Sequence, residues 1–289
     1  MLSILIVNWN TRDLLRACLL SLRHTCRELD HEIIVVDNAS HDSSAAMVRE
    51  EFPEVLLLAN QNNVGYAAGN NQAYAQAGGA LIWLLNPDTE VQPGAPQAMS
   101  GFLETKPHCG AVASMLVDVH TGRPQRSCRT FPTPAALWVE ALGLARRFSR
   151  SRRFGFYRMG WWNYADTRPV EQPMASSLLL RRQAIDDSGG LFDEQFPIFF
   201  NDVDLAWRLH QAGWPIWYVP QAKVLHHGGA STRQVRPAMI RESHRSLRLF
   251  YEKHWRASMS PLLFTATMLM MQTAGALRVA LAERRQRAP

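Results

Sequence analysis

The sequence predicts an α/β fold: a mostly parallel sheet with helices on both faces. Through the first hundred residues, short apolar runs alternate with apolar residues at helical spacing. The links between them are short, as βα units require. The third observation concerns polarity: Asn8, Asp37 and the pair Asn86 and Asp88 each follow an apolar run directly. In a parallel sheet these residues gather at the carboxyl ends of the strands, where open α/β sheets bind ligands. A turn accounts for any one of them, but three strand ends with the same chemistry weaken that explanation.

SILIVN at 3–8 reads as a buried strand, with Asn10 and Thr11 as turn or cap before a helix whose apolar face is Leu14, Leu15, Cys18, Leu19 and Leu22. IIVVD at 33–37 is a second strand, ending in the polar turn 38–42. A short helix at 45–51, a strand at 55–59, a helix from near Tyr66 and a strand at 80–85 continue the alternation. From 109 to 182 the pattern is irregular, broken by an apolar strand at 176–180. Residues 203–211 make a helix stopped by Gly213, and 214–219 and 223–225 read as strands. After 230 the chain turns helical, basic and amphipathic over 240–254. A main domain at 1–230 and a basic helical extension at 231–289 follow.

Composition excludes several classes. With 289 residues, 47% hydrophobic and 19% charged, disordered and collagen-like readings fail. Cys18, Cys26, Cys109 and Cys128 form no C-x-x-C pair, so zinc fingers and a disulfide framework are not expected, and a reducing cytosol is. Met1 leads almost directly into an apolar strand, so no secretory signal is expected.

The net charge of +6 is unevenly spread. Residues 143–160 hold Arg146, Arg147, Arg150, Arg152, Arg153 and Arg158 and no acid, while 223–289 carry twelve basic side chains against Glu242, Glu252 and Glu283. The rest is acidic, which points to a localised polyanion or membrane contact rather than a uniformly cationic surface, with solvated arginine faces as the competing reading. The arginines at 146–158 sit among Phe148, Phe154, Phe156, Tyr157, Trp161 and Trp162, a mixture suited to a lipid headgroup region. No nucleic-acid motif accompanies them, so no nucleic-acid partner is expected. Residues 257–277 lack formal charge over a span's length but are diluted by Ser, Thr and Gln. Membrane span, interfacial helix and packed helix compete there, with interfacial attachment favoured by the basic flanks.

Four motifs carry possible chemistry. Gly65 and Gly69 lie where a loop enters a helix, so backbone N–H groups could face an anion, although an ordinary helix start explains the pattern equally simply. Asn86-Pro87-Asp88 offers hard oxygen donors that suit Mg2+ or Mn2+, against the alternative of a type I turn. Asp202 in Asn201-Asp202-Val203-Asp204 is placed as a helix cap or a general base. His226 and His227, before two glycines, could supply an imidazole to a metal or diphosphate or simply make a turn.

Taken together, VNWN, VVDNAS, NVGYAAGNN, LLNPDT, GGLFDEQFPIFFNDVDLAWRLHQAGW and VLHHGGAST resemble family 2 glycosyltransferases, in particular the rhamnosyltransferase-like branch, in order from about residue 3 to 255. The resemblance implies a GT-A type fold, with a donor half at about 1–115 and an acceptor half at about 116–230, and inversion at the anomeric carbon. It implies an NDP-sugar donor, dTDP- or UDP-linked, and a saccharide or lipid-diphosphate-linked acceptor in cell-envelope polysaccharide synthesis. The expected location is cytoplasmic, peripheral at the inner face of the membrane, against an anionic surface.

By position, Asp37 resembles the carboxylate that accepts the nucleobase imide N–H, with Asn8 and Asn38 beside it. Asn63, Gly65, Gly69 and Asn70 are similar to the loop around ribose and diphosphate. Asp88 resembles the metal-binding aspartate, with Asn86 in the preceding position of that element, and His226 the late histidine, with His227 its competitor. Asp202 resembles the catalytic base, with Asp204 and Arg208 as candidate support. The family usually has Glu where this chain has Asn201; losing a negative neighbour predicts a weaker base. It also keeps open a competing class, a catalytically silent NDP-sugar-binding protein.

Overall fold

The computed structural model describes residues 1–228 and 236–287. The predicted boundary at 230, with Gly229, Ala230 and Ser231 of the histidine motif, lies outside them.

The predicted alternation is present as β1 (Leu2–Asn8), α1 (Arg12–Thr25), β2 (His31–Asp37), α2 (Ser44–Glu51), β3 (Leu56–Ala59), α3 (Tyr66–Gln76) and β4 (Leu81–Leu85). Then come β5 (Thr89–Val91), α4 (Ala95–Thr105), β6 (Ala111–Asp118), β7 (Cys128–Arg129), α5 (Pro134–Ala141) and α6 (Leu144–Arg147). β8 (Arg168–Val170), β9 (Gln172–Pro173), β10 (Ser177–Arg181), α7 (Arg182–Asp187), α8 (Asn201–Gln211) and β11 (Ile216–His226) follow. The last helices are α9 (Arg236–His254) and α10 (Pro261–Arg287).

The principal sheet has the order β3-β2-β1-β4-β10-β6-β11-β5, with β8 beside β11. It is parallel across β3, β2, β1 and β4. β10 then enters antiparallel to both β4 and β6, and β11 runs parallel to β6. Side chains alternate across it as the period of two demands. From β1, Ile4 and Ile6 pack with Leu15, Leu19 and Leu22 of α1 on one face. Leu5 and Val7 pack with Ala67 and Ala73 of α3 on the other.

Two departures from the sequence reading have physical causes. The stretch from 109 contains a central strand, β6, hidden because AVASMLVD mixes small and polar residues without clean alternation. The strands expected at 214–219 and 223–225 are one strand, β11, with a register irregularity between Val219 and Lys223. Pro220 lies there and lacks the N–H a regular ladder needs.

α9 and α10 pack on the elements before them. Phe250 and Tyr251 of α9 are buried with Phe196 and Val203, and Tyr251 donates its hydroxyl hydrogen to the Pro132 carbonyl at 2.7 Å. α10 buries Met271 in the same cluster and joins α5 through Trp138 Nε1 and Thr267 Oγ1 at 3.2 Å. Leu262, Leu263, Leu269 and Leu277 remain exposed. By length and composition, Pro261–Ala280 is apolar enough to cross a membrane.

The arginine-aromatic stretch divides. Tyr157 and Trp162 are interior residues, the latter stacked on Tyr164 at 4.1 Å, so they correct the expectation of a continuous aromatic boundary. Arg158 pairs with Glu140 at 2.6 Å, whereas Phe148 is exposed among the other arginines.

Candidate active site

A cleft of about 460 Å³ opens where β1, β2 and β4 end. Val7, Asn8 and Trp9 follow β1 into it, Asn38 follows β2, and Asn86, Pro87 and Asp88 follow β4. Asp202 at the start of α8 and His226 at the end of β11 face the same space. Residues far apart in the chain therefore meet at the carboxyl edge of the sheet, as the topology requires.

Asp37 lies just beneath this rim, buried and off the cleft wall. Its Oδ1 accepts from Asn8 Nδ2 at 2.8 Å and its Oδ2 from the Ser40 N–H at 3.0 Å. Thr11 donates to Asn8 Oδ1 at 2.6 Å, so the network orients Asn8 as well. Asn38 bridges to the Gly65 carbonyl and to Asn60 at 3.0 and 2.9 Å.

The glycine loop differs from expectation. The first two N–H groups of α3, on Tyr66 and Ala67, both donate to the Pro197 carbonyl at 2.9 and 3.1 Å, and the Gly65 N–H donates to Asn63 Oδ1 at 2.9 Å. Those donors are committed to protein and do not form an open anion cradle. Gly65 is required by its φ of +90° and by Pro197, whose carbonyl oxygen would stand 3.2 Å from a Cβ. Gly69 and Asn70 are interior: a Cβ on Gly69 would meet Val7 at 3.0 Å, and Asn70 donates to the Tyr66 carbonyl at 2.9 Å. Of the four loop residues, Asn63 and Gly65 line the cleft.

Asp88 and His226 are both buried at the cleft, with His226 Nε2 3.4 Å from Asp88 Oδ1. Gln125 orients the imidazole. Its amide nitrogen donates to the His226 carbonyl at 2.9 Å, which turns Oε1 toward Nδ1 at 2.7 Å. Nδ1 then donates to Gln125 and Nε2 faces Asp88, the nitrogen that a metal-ligating histidine held from behind in this way would offer. Among the described residues no three or more His, Cys, Asp and Glu cluster as a metal cage. A two-residue donor pair fits Mg2+ or Mn2+, which retain water and bridge substrate phosphates. Asn86 is otherwise engaged, donating to Ser176 Oγ at 3.1 Å and accepting from the Tyr66 hydroxyl at 3.2 Å. His227 turns away to Glu90 at 3.2 Å and does not line the cleft.

Asp202 shares the cleft with Tyr66. Burial pushes its carboxyl above the usual range, against the Val203 N–H hydrogen bond and the charge of Arg129. This raise comes from burial and is separate from the contribution that a negative neighbour at Asn201 would add. Asn201 instead braces the turn into α8. Its amide donates to the carbonyls of Phe196 and Ile198 at 3.3 and 3.0 Å, and its Oδ1 accepts the Asp202 N–H at 2.7 Å. A carboxylate could not make those two donations. Phe200, at φ +66°, turns the chain into α8.

Asp204 faces away from the cleft. It is fully buried, 2.8 Å from Arg208 and 2.7 Å from both Lys253 and His254. Burial alone would raise its carboxyl, but hydrogen bonds from His254 and Lys253 and the Arg208 charge hold it at about 2. Arg208 also donates to the carbonyls of Ser188, Gly190 and Leu191. Both residues hold α8 in place rather than meeting substrate. The sequence reading missed Tyr66, Gln125 and Ser176; only Tyr66 lay inside a quoted motif, and Gln125 sits in a stretch with no pattern.

The glycosyl transferase family 2 sequence profile matches residues 3–167. An N-acetylglucosaminyl-diphospho-decaprenol L-rhamnosyltransferase of Mycobacterium tuberculosis is 31% identical over 240 residues, 78% of this chain and 77% of that protein. This chain belongs to glycosyltransferase family 2. Within it the chain is rhamnosyltransferase-like, and it is a glycosyltransferase. An O-antigen biosynthesis protein of Myxococcus xanthus is 27% identical over 76% of the glycosyltransferase but only 17% of its own length. Among solved structures, a mannosyltransferase of Pyrobaculum calidifontis in complex with GDP-Man and Mn2+ superposes with TM-score 0.59 at 18% identity, covering 97% of this chain and 73% of that one. S. aureus TarS 1–349 superposes with TM-score 0.58 at 13% identity, covering 94% and 70%. These superpositions show a GT-A fold. Asp202 and His226 lie beyond the matched profile, so the geometry above, not the profile, brings them to the cleft.

Proposed function

We propose that this glycosyltransferase moves L-rhamnose, with inversion, from a dTDP- or UDP-linked donor to a lipid-diphosphate-linked saccharide at the cytoplasmic face of the membrane. The observation that carries the reading is the convergence of Asp88, His226 and Asp202 on one cleft. The mycobacterial relative supports the sugar and the acceptor class.

In this reading the nucleobase lies at the rim above Asp37, which holds Asn8 toward it, and Asn63 and Gly65 flank the donor's middle. Asp88 and His226 would hold Mg2+ or Mn2+, which supplies positive charge to the departing diphosphate. Asp202 removes the proton from the acceptor hydroxyl. That oxygen bonds to the anomeric carbon from the face opposite the diphosphate, and the electron pair of the broken C–O bond leaves with the nucleotide. Burial of Asp202 strengthens it as a base, because a raised carboxyl pKa binds the proton more tightly. Ile198, Phe199, Phe200 and Met174 give the cleft an apolar wall suited to the C6 methyl of a 6-deoxy sugar.

The test is transfer from dTDP-L-rhamnose to an N-acetylglucosaminyl-diphospho-lipid. Transfer with Mg2+ or Mn2+, lost in EDTA, is the expected result. Transfer unaffected by EDTA removes the metal, and donor binding without any transfer favours a silent nucleotide-sugar binder.

A further inference from the structure

α9 presents two faces. Met239, Phe250 and His254 share one side by helical periodicity: Met239 lines the catalytic cleft, Phe250 is buried and His254 reaches Asp204. Arg241, His244, Arg245 and Arg248 lie on the opposite side, at the i, i+3, i+4, i+7 spacing of one helix face. They form one wall of a second cavity, of about 490 Å³, whose other wall is α10, from Met271 and Gln272 through Gly275 to Val279 and Ala280.

His244 is the unusual member. Both ring nitrogens are buried and neither has a hydrogen-bond partner. Leaving a buried polar atom unsatisfied costs about 1–3 kcal/mol, so such atoms call for a ligand. The packing around the ring is close, since a Cβ on Gly275 would stand 3.0 Å from His244 Cγ. Burial, with the charges of Arg278 and Arg248, holds the imidazole below its usual pKa, which leaves a neutral ring with one donor and one acceptor. Acids of α9 flank this wall: Glu242, 3.4 Å from the exposed Arg245, and the exposed Glu252, one turn beyond Arg248; surface pairs of this kind contribute little. Arg245 and Arg248 beside one cavity favour an anion next to them. Beside them runs α10, with exposed Leu262, Leu263, Leu269 and Leu277. Phosphate-binding cations next to an exposed apolar helix match the chemistry of a phospholipid.

We propose that the cavity between α9 and α10 binds the phosphate headgroup of an anionic membrane lipid, with Arg245 and Arg248 beside the phosphate and His244 hydrogen-bonded to it. It rests on the membrane placement proposed above, but not on the donor, the acceptor or Asp202.

The full-length chain is tested for binding to phosphatidylcholine vesicles with and without phosphatidylglycerol, in the absence of nucleotide sugar and acceptor. Binding is expected only with phosphatidylglycerol. Arg245→Gln and Arg248→Gln each lower it about fivefold. Gly275→Leu fills the cavity without changing charge and abolishes the same component. His244→Leu gives opposite signs: weaker vesicle binding but an equal or higher melting temperature, because the unsatisfied nitrogens are gone. Wild-type binding by the arginine variants overturns the proposal. So does wild-type binding by His244→Leu, which would reduce the contact to diffuse charge. Vesicle binding that does not rise with phosphatidylglycerol, while inorganic phosphate raises the melting temperature of wild type but not of Arg248→Gln, also overturns it, in favour of a free-anion site.

Discussion

His254 Nε2 lies 2.7 Å from Asp204 Oδ1, and that contact ties the C-terminal extension to the helix that presents Asp202. Because the Asp204 carboxyl is held at about 2 against an ordinary 3.8, its stabilising effect is fully present above about pH 4 and is lost as pH falls through 2. The shift corresponds to about 2 kcal/mol. Asp204→Asn is expected to lower the melting temperature at pH 7, and the gap from wild type should narrow below pH 4. A melting series against pH checks both.

Asn201→Glu restores the residue usual in the family, yet it is expected to harm this chain. The amide donations to Phe196 and Ile198 vanish and a buried charge enters. Stability should fall by about 1–3 kcal/mol, with no gain in transfer rate. Chemical denaturation and initial rates measure the two effects.

Gln125→Leu leaves every cleft residue in place but frees the His226 ring. Loss of such an orienting partner costs about 10–100-fold in metal affinity or activity. His227→Ala, at a residue turned toward Glu90, should cost far less. Titration of transfer activity with Mn2+ separates these variants, and a reversed order would reassign the histidine.

The pH profile of transfer should carry the mark of Asp202. The base acts deprotonated, so the rate falls with acidity through its pKa, which burial raises. The acid limb is expected above the ordinary carboxylate value of 3.8 and absent from donor binding. An acid limb at or below 3.8 would contradict this environment for Asp202.

Much of this was legible in the sequence because it depends on strand ends. Asn8, Asn38, Asn86 and Asp88 reach the cleft since each follows an apolar run, and a parallel sheet puts such positions on one rim. The same rule brought Asp37 only beneath the rim, where Asn8 and Ser40 hold it. What failed was local geometry. The Gly65 loop looked like an anion cradle, but Pro197, far away in the chain, takes the helix N–H groups. Asp204 looked like a second base, but Lys253 and His254, from a helix legible only as basic and amphipathic, neutralise it. Gln125 left no signal because its role exists only once β11 brings His226 beside it.

The most direct measurement compares Asp202→Asn with wild type in two assays, donor binding by calorimetry and single-turnover transfer to the lipid-linked acceptor. The substitution keeps the shape and removes the proton acceptor, so donor affinity should be unchanged while transfer falls by about 10²–10⁴-fold. Transfer at the wild-type rate would show that Asp202 is not the base.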